Sequence, residues 1–449
     1  MSPIELRIND DILLLTPVPD ENNEELYYLQ DDSGESWLKM ELKGREFKII
    51  DQNKAVNSSQ DEINAKLGQL VLDIIESEQS GTENTEFNNN EENEPYNPDD
   101  IKVSSKSFST RFIKEMIADG SLELTPDFQR HLVWDQRQRS RLIESILLKI
   151  PLPVFYFSED TEGKLTVIDG LQRLSAINDF MNNKFQLKGL EYLRDNCEGK
   201  SYETLELKYI RWFNQTQLIG NVIDPSSPYK VKYDIFKRIN TGGEPLKNQE
   251  IRNCLTGKAL RETLQEMVSL PEFKKATDYS ISPVRMADEE MALRFILFRL
   301  FKSGEKGIEE YNGYMDSWLD ELTDIYRKAT KGDLQYYIAD FSTAMKNADY
   351  LFGGKYAFRK IRIKDIRQNA PKQLINKALF VSWSVLLADY EFERIIIKNK
   401  PSALLKPLAE AIETDTVFRN YLSNGTNNKA NIQSIFFNVE KIINKHLIY

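Results

Sequence analysis

The segment VIDGLQRL, Val167 to Leu174, holds the residues whose types and spacing best suit chemistry. A buried-type strand runs into a helix through an Asp-Gly turn, which leaves main-chain N–H groups facing outward at the helix start. Those donors and the helix dipole favour a bound anion such as phosphate. Gly170 lets the main chain approach closely, and Arg173, in the first turn, offers a bidentate guanidinium contact to phosphate oxygens. Asp169, at the strand end, suits a Mg²⁺ ligand or a group orienting an attacking water, and Gln172 suits a polar positioning group. An ordinary capped helix accounts for the same letters, with Asp169 as N-cap and Arg173 in a surface ion pair. Both readings stand on the residues alone.

Three further runs carry candidate groups. In Thr125 to Asp135 (TPDFQRHLVWD), Gln129 and Arg130 are candidates to share a cleft with Arg173, while Phe128, Val133 and Trp134 pack beneath. In Phe236 to Arg252, the residues Asn240, Thr241, Gly242 and Gly243 form a tight turn whose N–H groups suit an anion nest. A plain helix–turn–helix connection explains those glycines equally well. The run 355–372, KYAFRKIRIKDIRQNAPK, mixes aromatic and cationic residues, as either a nucleic-acid surface or a solvated face does.

The elements that must position these residues are readable from periodicity. Short alternating runs (IELRI, DILLLTPV, ELYYLQD, SWLKMEL, EFKIID) predict a small β-rich module over 1–57. Ile63, Leu67, Leu70, Val71 and Ile74 predict a helix over 59–78, and the acidic, apolar-poor stretch from Ser80 to Asp100 predicts a flexible linker. Helix and linker together fill 58–100. A core over 101–255 is expected from a helix at 108–118, a strand near 122–125, a helix at 135–149 opened by Asp135, and strands at 154–157 and 165–168. That helix is expected to bury Leu142, Ile143, Ile146, Leu147 and Ile150. A helix at 171–181, β-like runs at 208–213 and 216–223, and a helix at 229–239 complete the core. Helical spacing at 258–268, 287–302, 314–328, 333–350, 373–391 and 402–415 predicts an all-helical region over 256–449. The fold class is α+β.

Bulk properties narrow the function. The 449 residues carry a net charge of −11, which argues against non-specific nucleic-acid binding by the whole chain. Arg and Lys nevertheless crowd 128–150, 355–372 and 394–406, leaving room for local basic surfaces. No run approaches ~20 consecutive apolar residues and the first residues lack a signal-peptide pattern, so a cytoplasmic protein without a membrane span is expected. Two cysteines, Cys197 and Cys254, are too few for a disulfide framework or a cysteine-built zinc site. Two histidines, His131 and His446, disfavour a histidine-dependent metal nuclease or a Ser–His–Asp hydrolase.

Taken in order, PDFQR–VW, R–LIESIL–IPLP, VIDGLQRL and F–RINTGG–L–EIR resemble the N-terminal domain family of GmrSD-type restriction endonucleases. RMADEEMALRF (285–295) and INKALF (375–380) resemble that family's helical second half, so the likeness runs over about 101–390. The family is similar in fold to ParB and sulfiredoxin, in which a G-x-x-R turn binds nucleotide phosphates. Gly170 and Arg173 stand at the matching positions. The resemblance implies a ParB/sulfiredoxin-like core and an NTP-binding, NTP-hydrolysing sensor or regulatory subunit of a bacterial defence system against foreign DNA, modified DNA included, using an NTP with Mg²⁺. It implies phosphate binding by Gln129, Arg130, Gly170, Arg173 and Asn240 to Gly243. Asp169, Gln172 and Arg173 would serve catalysis, with Asp169 as Mg²⁺ ligand and Glu250 and Arg252 as supports.

One departure matters. The family's usual DGQQR reads DGLQR here, with Leu171 replacing the first Gln. That separates hydrolysis from binding and keeps open a non-catalytic, nucleotide-gated DNA-binding or adaptor protein. Many relatives carry an HNH-type nuclease domain, and His446 lacks such a context. The expected partners are therefore a nucleotide, DNA and a separate nuclease subunit, with oligomers allowed.

Overall fold

A computed structural model describes the chain except residues 1–2, 10, 21–25, 32, 44–45, 84–100, 125–133, 240–245, 305, 307 and 368. Period-two alternation builds the first module. Strands β1 (Ile4–Ile8), β2 (Asp11–Pro19), β3 (Leu26–Gln30), β4 (Ser36–Lys43) and β5 (Glu46–Gln52) pair in chain order as an antiparallel meander. Leu6, Ile8, Leu15, Leu29, Leu38 and Met40 share one buried cluster, and helix α1 (Gln60–Ser80) lays Ile63, Leu67, Leu70 and Ile74 against them.

The expected linker does not begin where composition places it. Thr82 donates its N–H to Ser423 O at 2.8 Å and accepts from Thr426 N–H at 2.9 Å. Glu83 accepts from both terminal nitrogens of the buried Arg294, one of them at 2.8 Å. Residues 81–83 are thus docked on the helical half, because a buried guanidinium there requires carboxylates. The rest of the expected linker, 84–100, lies outside the described residues.

The second module runs β6 (Val103–Ser109), α2 (Thr110–Asp119), β7 (Leu122–Glu123), α3 (Gln136–Leu147), β8 (Phe155–Glu159), β9 (Leu165–Asp169), α4 (Leu171–Met181), α5 (Arg194–Cys197), α6 (Leu207–Gln215), β10 (Gln217–Ile223), α7 (Tyr229–Ile239) and α8 (Asn248–Leu255). Its mixed sheet has the order β6-β10-β8-β9-β7. β8 and β9 form an antiparallel pair, while β10 lies parallel to β8 and β7 parallel to β9. Val167 joins the cluster that includes Ile143 of α3 and Leu174 of α4. Its neighbour Ile168 joins a different cluster with Tyr233 and Phe236 of α7 and Ile251 of α8. Strand β9 is therefore covered on both faces, and its end is fixed from both sides.

Three local expectations change. The run 208–213 is helix α6, not a strand, because Tyr209 and Phe213 bury one helical face and override their β propensity. Strand β6 occupies 103–109, where only Phe108 is buried, so its polar edge carries no apolar alternation. Helix α3 ends at Leu147 before the PLP run, and Ile150 is 48% exposed instead of lying in the core.

The remaining chain is helical: α9 (Lys258–Ser269), α10 (Pro271–Ala276), α11 (Ala287–Ser303), α12 (Met315–Ile325), α13 (Lys331–Phe352), α14 (Lys377–Leu387), α15 (Phe392–Lys398), α16 (Leu405–Thr414), α17 (Thr416–Tyr421) and α18 (Lys429–His446). α14 is buried all round from Ala378 to Leu387 and forms the axis of this region. The chain as a whole is α+β: a β-rich module, a mixed sheet with helices, and a long helical region. No helix among the described residues is long and apolar enough to cross a membrane.

Burial opposes ionisation of Glu83 and Glu290, but Arg294 outweighs it, holding Glu83 below the usual range and Glu290 at about 2. Depressed carboxylate values stabilise the fold above the unfolded value and lose that effect as pH falls toward the folded one. Glu83→Ala should cost about 3 kcal/mol at pH 7 in urea unfolding. The deficit should shrink as pH drops from about 4.5 toward about 2. Equal stability of both proteins at pH 7 would contradict the anchor.

Candidate functional site

The strand-to-helix turn after β9 is built around Gly170. Its φ of 99° and ψ of 12° are left-handed, and a Cβ placed there would lie 2.4 Å from the Phe155 ring. Only glycine meets both demands. Gly170, not Asp169, is the N-cap residue, and no side chain caps the first turn of α4. The first-turn N–H groups therefore lack side-chain acceptors among the described residues, as an anion site requires.

Arg173 folds back over this turn. It donates through Nη2 to Asp169 Oδ2 at 2.7 Å and to Val154 O at 3.4 Å, and through Nη1 to Pro153 O. Its guanidinium carbon sits 4.4 Å from the centroid of the Phe155 ring. Its side chain is 12% exposed, against 36% for Asp169. Burial lowers the guanidinium's pKa and Asp169 partly restores it. Arg173 is thus a brace across the ends of β8 and β9 as well as a cation beside an uncapped helix start. A phosphate at the turn would compete with Asp169 and the Pro153 carbonyl for the same nitrogens.

The neighbouring segments attach close by. Gln172 accepts from Trp134 N–H at 3.4 Å, so the chain leaving 125–133 lands on α4. β7, which leads into that segment, pairs with β9 through Glu123 and Thr166. Gln129 and Arg130 themselves lie outside the described residues, as do Asn240, Thr241, Gly242 and Gly243. The flanks of the latter turn are α7 and α8, which share the Ile168 cluster on the far face of β9. Glu250, in the first turn of α8, accepts from Lys247 N–H at 2.7 Å and from Arg285 Nη1 at 3.1 Å. Burial raises its pKa, with the Lys247 N–H acting the other way.

Arg252 stands apart from this turn. Fully buried, it donates through Nε to Asp320 at 2.6 Å and through Nη2 to Asp316, both on α12. It bolts the mixed-sheet module to the helical region. Leu171 is buried in the apolar cluster beneath the turn, so its departure from glutamine falls on a core position.

Sequence reasoning missed Phe155, the Pro153 and Val154 carbonyls, and Arg285. The Asp169–Arg173 pair, by contrast, is announced by its i,i+4 spacing. A cavity of about 430 Å³, lined in part by Lys149, Leu152, Trp212 and Gln217, opens at the same end of the sheet. Leu152 precedes the gripped Val154 by two residues, at most about 7 Å of chain.

Residues 113–256 match the family described as GmrSD restriction endonuclease, N-terminal domain. No curated protein matches the chain. The match takes in the turn at Gly170, both flanking segments, Glu250 and Arg252, and leaves the N-terminal module and the helices beyond α8 outside.

Gly170→Ala should strain the backbone and drive a methyl into Phe155, destabilising the fold by about 3 kcal/mol. Denaturant unfolding measures this. A substitution that leaves stability unchanged would show that the turn relaxes freely.

Proposed function

Given that residues 113–256 carry a domain of the GmrSD restriction endonuclease N-terminal family, we propose that this restriction- or defence-related chain is a nucleotide-binding, nucleotide-hydrolysing sensor subunit acting against foreign DNA. The observation that carries this reading is an α4 start at a left-handed Gly170 that has no side-chain cap among the described residues, with the Arg173 guanidinium and the Asp169 carboxylate beside it. Phosphate oxygens would accept from the first-turn N–H groups, and Arg173 would move part of its bonding from Asp169 to the phosphate. The G-x-x-R spacing of Gly170 and Arg173 is the part of the site that agrees with a ParB/sulfiredoxin-like core.

Gln129 and Arg130 would approach from the segment whose exit contacts Gln172. Asn240 to Gly243 would close the site from the α7–α8 side, with Glu250 steadying the first turn of α8 and Arg252 holding that helix against α12. Mg²⁺ would accompany the nucleotide. Asp169 is a single carboxylate, which suits an ion held mainly by phosphate oxygens and water. Asp169 or Gln172 would orient the attacking water, and turnover would reset a conformational state. DNA cutting would fall to a partner subunit. The 430 Å³ cavity beside Leu152 is of a size to receive a base and sugar.

A second reading, nucleotide gating without turnover, is favoured by Leu171. Its burial in the apolar cluster means that this position brings no polar group to the site.

Calorimetry with each of the common NTPs and Mg²⁺, paired with phosphate-release assays, separates the readings. Arg173→Ala should weaken nucleotide binding tenfold to about a hundredfold, because a charge-assisted contact is lost. Asp169→Asn keeps an acceptor for Arg173 and should retain binding while slowing turnover. Thermal unfolding of both variants controls for the bracing role of Arg173. Wild-type affinity in a folded Arg173→Ala would remove the proposed site, and binding without turnover in the wild type would select the second reading.

A further inference from the structure

A strained loop and the basic run of 355–372 come together on the helical half, outside the β9 site. Helix α10 leads into residues 277–286, where Asp278, Tyr279, Arg285 and Met286 hold φ values of 49°, 53°, 59° and 57°. Side chains resist that left-handed conformation, and it persists only where surrounding bonds enforce it. Arg359 supplies the enforcement around Asp278 and Tyr279, gripping the residues on either side of them. Its buried guanidinium donates to Thr277 O at 2.9 Å, Ser280 Oγ at 2.6 Å, Gly354 O at 2.8 Å, Ala357 O at 3.1 Å and Gln373 O at 2.8 Å. All five acceptors are neutral. The carboxylate that answers Arg359 electrostatically, Asp278, is claimed by Lys372 at 2.7 Å.

The held loop presents Tyr279 with 74% of its surface exposed. Cations gather round it on segments that are stitched together. Lys274 and Lys275 end α10, and Tyr279 N–H bonds back to Lys274 O at 2.9 Å. Lys355 and Tyr356 both donate to Arg367 O, at 3.4 and 3.2 Å, and Arg367 reaches Lys364 O. Lys372 donates to Asp278 O at 2.6 Å. Lys274, Lys275 and Lys372 are thus tied directly to the loop that carries the ring, and Lys355, Lys364 and Arg367 stand on the segment that the buried Arg359 joins to it. The carboxylates beside them are Asp278, which pairs with Lys372, together with Asp288, Asp349, Asp365 and Glu413, the last accepting from Ile363 N–H at 3.3 Å. On a chain of net charge −11, the seven Lys and Arg of 355–372 against the single Asp365 are a local reversal of sign.

We propose that this face binds a single-stranded stretch of DNA, its phosphates on the Lys and Arg side chains and one base stacked on Tyr279. An acidic peptide would use the cations but not the ring. A strand uses both, because every base has a π-face to stack and every nucleotide a phosphate to neutralise. The choice of DNA rests on the function proposed above, while the surface shares no residue with the β9 turn.

Fluorescence anisotropy of the full chain with a labelled 20-nucleotide oligo-dT, across a salt series, tests the assignment. The wild type should bind with an affinity that falls as salt rises. Tyr279→Ala should weaken binding at least about fivefold, while Tyr279→Phe keeps the ring and the affinity. Replacing Lys274 and Lys275 by Ala should reduce the slope of log K against log salt by about 1.4. All three variants should bind nucleotide as the wild type does, and circular dichroism checks that they fold. No binding by the wild type would overturn the proposal, as would oligonucleotide affinities unchanged in the Tyr279 and Lys variants. Loss of oligonucleotide binding in Arg173→Ala alone would move the DNA contact to the β9 turn and overturn it equally, whereas failed nucleotide binding beside intact Tyr279 dependence would count only against the nucleotide reading.

Discussion

The closure of one strand-to-helix turn is the constraint on which the rest depends. At Gly170 the chain passes from β9 to α4 with no room for a side chain, because the Phe155 ring fills the space. Arg173 then ties that turn to Asp169 and to the main chain before β8, so the ends of two strands and the start of one helix become a single rigid piece. The first-turn amides lack a side-chain cap among the described residues, and the guanidinium beside them is already bonded to Asp169 and two carbonyls, so an anion proposed here would share that cation with Asp169. Without one, Asp169 holds the cation in the meantime.

Around that piece the connections are mechanical. The far face of β9 meets α7 and α8 through Ile168, and α8 is bolted to α12 by Arg252. Glu250 on α8 is held by Arg285, which closes the same strained loop that carries Tyr279 six residues earlier. The β9 strand and the loop that carries Tyr279 are thus joined through α8, by apolar packing at Ile168 and by the Glu250–Arg285 pair. The N-terminal module joins through residues 81–83 and the Glu83–Arg294 pair, which places its attachment on the helical half.

Much of this architecture is legible in the residues, and the boundary of legibility is physical. The helices at 171–181 and 229–239 follow from apolar spacing, and α3 opens at Asp135 as its capping chemistry requires. The antiparallel β8–β9 pair follows from two short apolar runs across a turn. The strand–glycine–helix turn at Gly170 is legible because its three parts are adjacent in the chain. What is not legible depends on distant partners. Arg252 finds its carboxylates 64 and 68 residues away, Glu83 meets Arg294 211 residues on, and Arg173 spends its hydrogen bonds on carbonyls 19 and 20 residues back. Local propensity failed at α6, where two buried aromatic residues on one helical face outweighed a β-like composition.

Three separate segments, 125–134, 169–173 and 240–250, are proposed to serve one nucleotide. Hydrogen–deuterium exchange of the full chain with and without NTP and Mg²⁺ reads that claim directly. Joint protection of all three segments on nucleotide addition is the expected result. Protection of one segment alone, or of none, would contradict it.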